Sequence, residues 1–201
     1  KGFSEKKILH VPYGVDLTQF ESVKKEDNIF RIIHCGAVSL RKGCHYLLKA
    51  FSDLDLPNAE LWFVGGVNPE MQSFINKYKD KRIRYFGSKP QSSLNWFYSQ
   101  ADVFSLFSLE EGLAMVQAQA MACALPIICT TNTGGEDLIQ EGKSGFVIPI
   151  RDVNALKEKI LFFFKNRLVC REMGLIAKQR VQEGFSWNNY GENIINEYKQ
   201  V

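Results

Sequence analysis

Phe30-Arg-Ile-Ile-His-Cys-Gly36-Ala-Val-Ser-Leu-Arg41-Lys42-Gly43-Cys44-His-Tyr-Leu-Leu-Lys-Ala-Phe51 is an apolar run, a glycine, a short basic loop and an amphipathic run. Phe30 to Cys35 reads as a buried strand that ends at Gly36. Between Cys44 and Phe51, Tyr46, Leu47, Ala50 and Phe51 recur at helical spacing. A buried strand that passes through a loop into such a helix is the opening unit of a parallel sheet covered by helices.

The rest of the chain repeats the unit. Leu61–Val64 is a second strand, closed by Gly65 and Gly66, and Ile83–Phe86 a third, closed by Gly87. Asp102–Leu106, Pro126–Cys129 and Gly145–Ile148 complete six strands. Glu70–Lys79 and Gln91–Gln100 read as helices between them. Leu113–Ala124 is a helix apolar nearly all round, hence buried. Beyond Asp152 the chain is helical: Val153–Lys165, Arg167–Glu183 and Trp187–Gln200. The expected fold is a doubly wound α/β domain with a parallel six-stranded sheet. In such sheets ligands bind outside the carboxyl ends of the strands. Gly36, Gly65, Gly66 and Gly87 fall on that rim. Each could simply end a strand, but four on one rim favour a crevice.

The 201 residues suffice for one ordinary domain with a sizeable core. With 45% hydrophobic and 23% charged residues, a disordered chain is excluded. A net charge of +3 does not mark a nucleic-acid binder, so any positive charge that matters must be local. Cys35, Cys44, Cys123, Cys129 and Cys170 are scattered and odd in number, which reads as reduced core thiols rather than a disulfide scaffold or zinc site. No apolar run reaches the length of a membrane span, and no secretory signal opens the chain. The chain opens at Lys1 without a methionine, so a piece of a longer protein is expected.

Four clusters could carry chemistry. In Ser39-Leu40-Arg41-Lys42-Gly43, two cations stand just ahead of a helix N-terminus, where they oppose the dipole at a cost of roughly 0.3–1 kcal/mol each. An anion there would reverse the sign, because free N–H groups and both cations converge on it. A solvated loop with both side chains turned away is the alternative. In Glu110-Glu111-Gly112 a loop turns into the apolar helix. Glu111 is either a plain N-terminal carboxylate or a ligand contact, and Gly112 and Ala114 leave the loop open. Gln119, among Ala118, Ala120, Met121 and Ala122, is either a satisfied core amide or a side chain reaching the crevice, roughly a turn and a half beyond the helix tip. Thr131-Asn-Thr-Gly134-Gly135-Glu136-Asp137 is a weaker anion cradle ahead of a helix. Asp53-Leu-Asp55 falls on the opposite rim, and His10, His34 and His45 have no metal-ligand spacing. No G-x-x-x-x-G-K-[ST], G-x-G-x-x-G or G-x-S-x-G occurs.

A family likeness rests on residues in a fixed order. These are Val11-Pro-Tyr-Gly14-Val-Asp16, Gly36 through Arg41-Lys42-Gly43, the glycines after Val64 and Phe86, Glu111-Gly112, Met121-Ala122 before Leu125-Pro126, and Gly142-Lys-Ser-Gly145. Over essentially its whole length the chain resembles the nucleotide-sugar-binding, carboxyl-terminal half of a family-four retaining glycosyltransferase of GT-B fold, a Rossmann-like domain. The resemblance implies that Lys42, with Arg41, holds the donor diphosphate as it leaves. Glu111, first of two glutamates in the family's motif, would contact the donor sugar. Gly112, Leu113, Ala114 and Met115 would cradle sugar and phosphate. Gln119 falls where the second glutamate holds the ribose. Gly36 and Gly65 would line the crevice, Gly87 and Ser88 would meet the nucleobase, and Gly14 and Asp16 would lie near the interdomain cleft. Residues 1–22 would be an interdomain segment, 23–185 the donor-binding domain, and 186–201 a helix returning to an absent N-terminal, acceptor-binding domain.

Three positions depart from the family pattern. Ala37 replaces an arginine, for which Arg41 would substitute. Gln119 replaces a carboxylate, so an amide offers one acceptor and one donor group to the ribose. Ala124 replaces a glycine. The implied partner is a nucleotide sugar, the donor substrate, with no metal or other cofactor and no nucleic acid. Location would be cytoplasmic, with any docking at the inner face of a membrane left to the absent half. A catalytically silent nucleotide-sugar-binding module and a nucleotide-sugar epimerase of GT-B fold are the rival readings.

Overall fold

A computed structural model describes residue 8 and residues 10–199. Strands β1 (Phe30–Cys35), β2 (Ala59–Val64), β3 (Ile83–Tyr85), β4 (Val103–Leu106), β5 (Ile127–Thr130) and β6 (Gly145–Ile148) form one sheet, ordered β3-β2-β1-β4-β5-β6. Every pair is parallel. Strands in such a sheet are buried on both faces, which is why β1 and β2 are buried throughout. The doubly wound α/β architecture expected from the sequence is therefore observed.

Helices cover both faces. α1 (Cys44–Leu54), α2 (Gln72–Lys77) and α6 (Val153–Lys165) lie against Phe30, Ile32, Leu61 and Phe63. α3 (Gln91–Ser99), α4 (Met115–Ala122) and the four-residue α5 (Gly135–Leu138) cover Ile33, Cys35, Trp62 and Phe104. α7 (Arg167–Gly184) contributes Cys170 and Met173 to the first layer and Ala177 and Val181 to the second. Each fully buried Phe, Leu or Ile contributes about 1.5–3 kcal/mol. α8 (Trp187–Tyr198) opens on a capping box between Ser186 and Asn189 and buries no residue. Within residues 1–22, Val15 and Phe20 are buried in the second layer, and Val15 bridges to Ser186. Residues 1–7, 9, 200 and 201, and with them the end expected for the last helix at Gln200, lie outside the described residues.

Many boundaries shift by a few residues, and two helices depart further from expectation. The helix expected over Glu70–Lys79 is a 3-10 turn, Pro69–Met71, followed by the short α2. The helix expected to begin at Leu113 begins at Met115, because Ala114 is extended (φ −78°, ψ 103°) and its N–H goes to the Thr133 carbonyl. It ends at Ala122, and Ala124 sits in the left-handed region at φ 62°.

The sequence reading also missed a buried ionic network on the amino-terminal rim. Arg31 is 5% exposed within β1 and donates to Glu60 on the paired position of β2 and to Asp27. Asp102 accepts from Lys25, Arg167 and the Arg31 N–H. Buried charges persist only when paired, and these stitch the strand entrances to residues 25–29 and α7.

Candidate functional site

β1 and β4 are neighbours, with Ile32 beside Val103 and Ile33 beside Phe104. The chain leaves them to opposite faces, α1 on one and α4 on the other, so the loops after them part at the carboxyl rim. In open α/β sheets a ligand binds at such a switch point. The two loops, residues 36–43 and 107–114, carry the strongest sequence candidates.

Lys42 and Glu111 are each 13% exposed and form an ion pair through Nζ and Oε1. Arg41, 56% exposed, reaches the same Oε1 at 2.8 Å and also donates to the Glu110 carbonyl at 2.9 Å. One carboxylate oxygen thus holds two cations. The solvated-loop alternative for Arg41 and Lys42 does not describe this geometry. Nor is Glu111 an N-terminal helix carboxylate, since α4 starts four residues later. The Lys42 bond is sheltered, and charged hydrogen bonds of that kind contribute about 1.5–3 kcal/mol. The Arg41 pair is largely exposed and contributes at most about 1 kcal/mol. The cluster keeps one positive charge in excess, two cations against one carboxylate.

Backbone contacts fix the two loops together. The Leu109 N–H donates to the Arg41 carbonyl at 2.9 Å. Gly43 caps α1 at φ 64°, and a Cβ there would lie 1.8 Å from the Phe107 carbonyl oxygen, so only glycine permits this approach. A third loop, after β5, backs the carboxylate. The Glu111 N–H donates to Asn132 O at 2.8 Å, and the Asn132 side chain returns a bond to Leu109 O at 2.8 Å. Gln117, which the sequence reading passed over, is wholly buried and donates to Thr133 O at 2.8 Å. Gly134 of this loop packs on Leu113, whereas α5 behind it is a single turn.

The other candidates distribute as follows. The strand-end glycines adjoin one another: a Cβ on Gly65 would lie 1.9 Å from Gly36 O, and Gly65 bridges to Gly87. Ser88 stands beside Gly66, whose Cβ would meet its hydroxyl at 3.3 Å. Gly87 and Gly112 face open space. Met115 is exposed at the start of α4. Gln119 is 8% exposed, one turn into the helix rather than a turn and a half, and its Oε1 accepts from the Tyr98 hydroxyl at 3.3 Å. Gly14 is placed elsewhere, against the α7–α8 junction, where a Cβ would lie 2.5 Å from Trp187 N. Asp16 is taken up by its own turn, accepting from Thr18 and Gln19. All five cysteines are free and buried, and burial pushes the Cys44, Cys123, Cys129 and Cys170 thiols up to about 12. Among the described residues there is no cluster of metal-ligating side chains, and no helix is long and apolar enough to cross a membrane.

Residues 16–180 match the family described as Glycosyl transferases group 1. The O-antigen chain mannosyltransferase B of Escherichia coli is 33% identical over 178 residues, 83% of this chain and 45% of that one. The sucrose-phosphate synthase of Thermosynechococcus elongatus superposes with a TM-score of 0.85 at 25% identity, over 94% of this chain and 51% of that one. Anabaena HepE in complex with UDP-glucose superposes with a TM-score of 0.82 at 17% identity, over 94% of this chain and 56% of that one, a likeness of fold. The chain spans about half the length of the curated relatives it matches. The order of the sheet, the glycine rim and the family match agree with the resemblance read from the sequence: the chain belongs to the group 1 glycosyltransferases and has the Rossmann-like fold of their GT-B architecture.

Proposed function

We propose that this chain is the donor-binding domain of a retaining glycosyltransferase that moves a sugar from a nucleoside-diphosphate sugar to a glycan or lipid-linked acceptor. The observation that carries the reading is the pair Arg41 and Lys42 gathered on Glu111 at the switch point. An entering diphosphate takes over the two cations, and the released Glu111 carboxylate turns to the sugar hydroxyls. Gly112 to Met115 border the sugar and phosphate, Gly36 and Gly65 leave room for them, and Gly87 and Ser88 border the base.

As the anomeric C–O bond breaks, negative charge grows on the leaving phosphate. Lys42, Arg41 and the N–H groups at the start of α4 stabilise that charge electrostatically, so no divalent metal is needed. The acceptor hydroxyl passes its proton to a phosphate oxygen and bonds the anomeric carbon from the face the phosphate leaves, which retains configuration. Acceptor positioning belongs to a further domain of a longer protein, to which α8 returns. The 201 residues alone therefore bind nucleotide and transfer little or no sugar. A location on the cytoplasmic side of a membrane fits a soluble nucleotide-sugar donor.

One observation favours a silent binding module instead. Gln119 Oε1 already accepts from Tyr98, which leaves one lone pair and the NH₂ for a ribose, where a carboxylate would accept two hydroxyl bonds. Glu111→Ala separates the readings. For a transferase, the UDP-sugar, GDP-sugar or ADP-sugar that binds loses roughly tenfold in affinity while the free diphosphate keeps or gains affinity, since its cations are released, and the full-length enzyme loses turnover. Equal affinities in calorimetry for the variant and the parent would remove Glu111 from the sugar site. Binding without turnover in the full-length parent would establish the module.

A further inference from the structure

His34 is the one polar ring in the carboxyl-terminal half of β1, and it is 1% exposed. Its ring lies 5.8 Å from that of Phe63, in a layer otherwise filled by Ile32, Val38 and Phe107. An apolar side chain would suit this packing, and a buried imidazole needs partners. Polar atoms of three segments face it. Nδ1 is 3.3 Å from the Ser105 carbonyl oxygen of β4. Nε2 is 3.4 Å from the Ala37 carbonyl oxygen in the cationic loop and 3.5 Å from Cys44 Sγ, the first residue of α1.

Proton accounting decides the arrangement. Burial holds the ring near pKa 4, with Lys42 nearby pushing the same way, so it is neutral at neutral pH and owns one N–H. The Cys44 thiol, pushed up to about 12, keeps its proton. The ring donates from Nδ1 to Ser105 O, and the thiol donates to the Nε2 lone pair. The opposite tautomer would donate from Nε2 to the Ala37 oxygen, but it would turn the Nδ1 lone pair toward the Ser105 oxygen and leave the thiol only the longer contacts to the Ala37 and Lys42 carbonyls, at 3.9 and 4.0 Å. His34 therefore ties the end of β4, which leads to Glu111, to the start of α1, which follows directly on Lys42 and Gly43. It does so with no hydrogen bond to either cation.

We propose that His34, with Cys44, is a positioning pair for the Lys42 ammonium, setting the spacing between the two loops that a diphosphate must bridge. The proposal rests on the donor-site reading above and goes further, to a buried pair that no ligand touches. The test uses UDP, GDP and ADP, and the parent nucleosides uridine, guanosine and adenosine, titrated into the 201-residue chain. His34→Leu keeps the apolar packing and removes both bonds. It is expected to weaken the preferred diphosphate about tenfold and leave its nucleoside unchanged. Cys44→Ala gives a smaller loss of the same kind, and the double variant is no worse than His34→Leu alone, because the two act as one unit.

A merely structural role would weaken diphosphate and nucleoside together, or give additive losses, and either result overturns the proposal. So does an unchanged diphosphate affinity. If His34→Leu fails to fold, Cys44→Ala, which removes a single sulfur, decides alone by the same ratio. Should no diphosphate bind the parent chain, the donor-site reading itself fails, an outcome distinct from normal binding without the selective loss.

Discussion

Glu111 Oε1 accepts from both Arg41 and Lys42, and the three side chains come from loops that only the fold brings together. Just below, His34 shows how burial sets protonation. Its ring titrates near 4, against an ordinary value near 6.5, because desolvation disfavours the charged form. Between those values the unfolded chain binds a proton that the folded chain refuses, so unfolding free energy rises with pH there. The contribution is complete above pH 6.5 and is lost as pH falls toward 4, about 3 kcal/mol in all. Urea midpoints at pH 4.5 and pH 7 check this. The parent is expected to lose more stability on acidification than His34→Leu does. Identical losses would mean that the ring is already charged, or not buried, in the folded chain.

Among the elements, α4 carries the clearest strain. Ala124 follows it at φ 62°, a conformation that places its Cβ against the backbone and costs about 1–2 kcal/mol for a residue other than glycine. Its carbonyl is packed under Gly174, where a Cβ would lie 2.1 Å away, so the turn cannot relax by tilting. Ala124→Gly is expected to stabilise the chain by about 1 kcal/mol, raising Tm by about 2–4 °C at this size. A lower Tm would show that the entropy glycine adds to the unfolded chain outweighs the relief. At the same scale, Gly43→Ala forces apart α1 and the Phe107 carbonyl. It is expected to lower Tm and abolish diphosphate binding together, whereas binding at parental affinity would remove this contact from the site.

What the sequence disclosed follows from which interactions are local. The strand positions were legible because a parallel strand buries both faces and writes a continuous apolar run, as in Phe30–Cys35 and Leu61–Val64. Arg41, Lys42 and Glu111 were legible as chemistry, two cations and a carboxylate beside strand-end glycines, but not as a triad. Their pairing spans some seventy residues and depends on β1 lying beside β4. The true start of α4 was hidden for the same reason, since the bond from Ala114 to Thr133 that holds the residue extended comes from a distant loop. The role of Arg31 was not legible, because its partner Glu60 is set by register, which no window of sequence contains.

For the molecule as a whole, a chain spanning about half the length of its relatives carries a six-stranded sheet whose own loops bring Arg41, Lys42 and Glu111 together. The central claim is that this site holds a nucleoside diphosphate through the Lys42 ammonium. Calorimetric titration of UDP, GDP and ADP into the parent chain and into Lys42→Ala tests it most directly. One of the three is expected to bind the parent, and Lys42→Ala to weaken it by about tenfold to a hundredfold, the equivalent of one sheltered charged hydrogen bond. Equal affinity in the two chains, or no binding of any nucleotide to the parent, would contradict the claim.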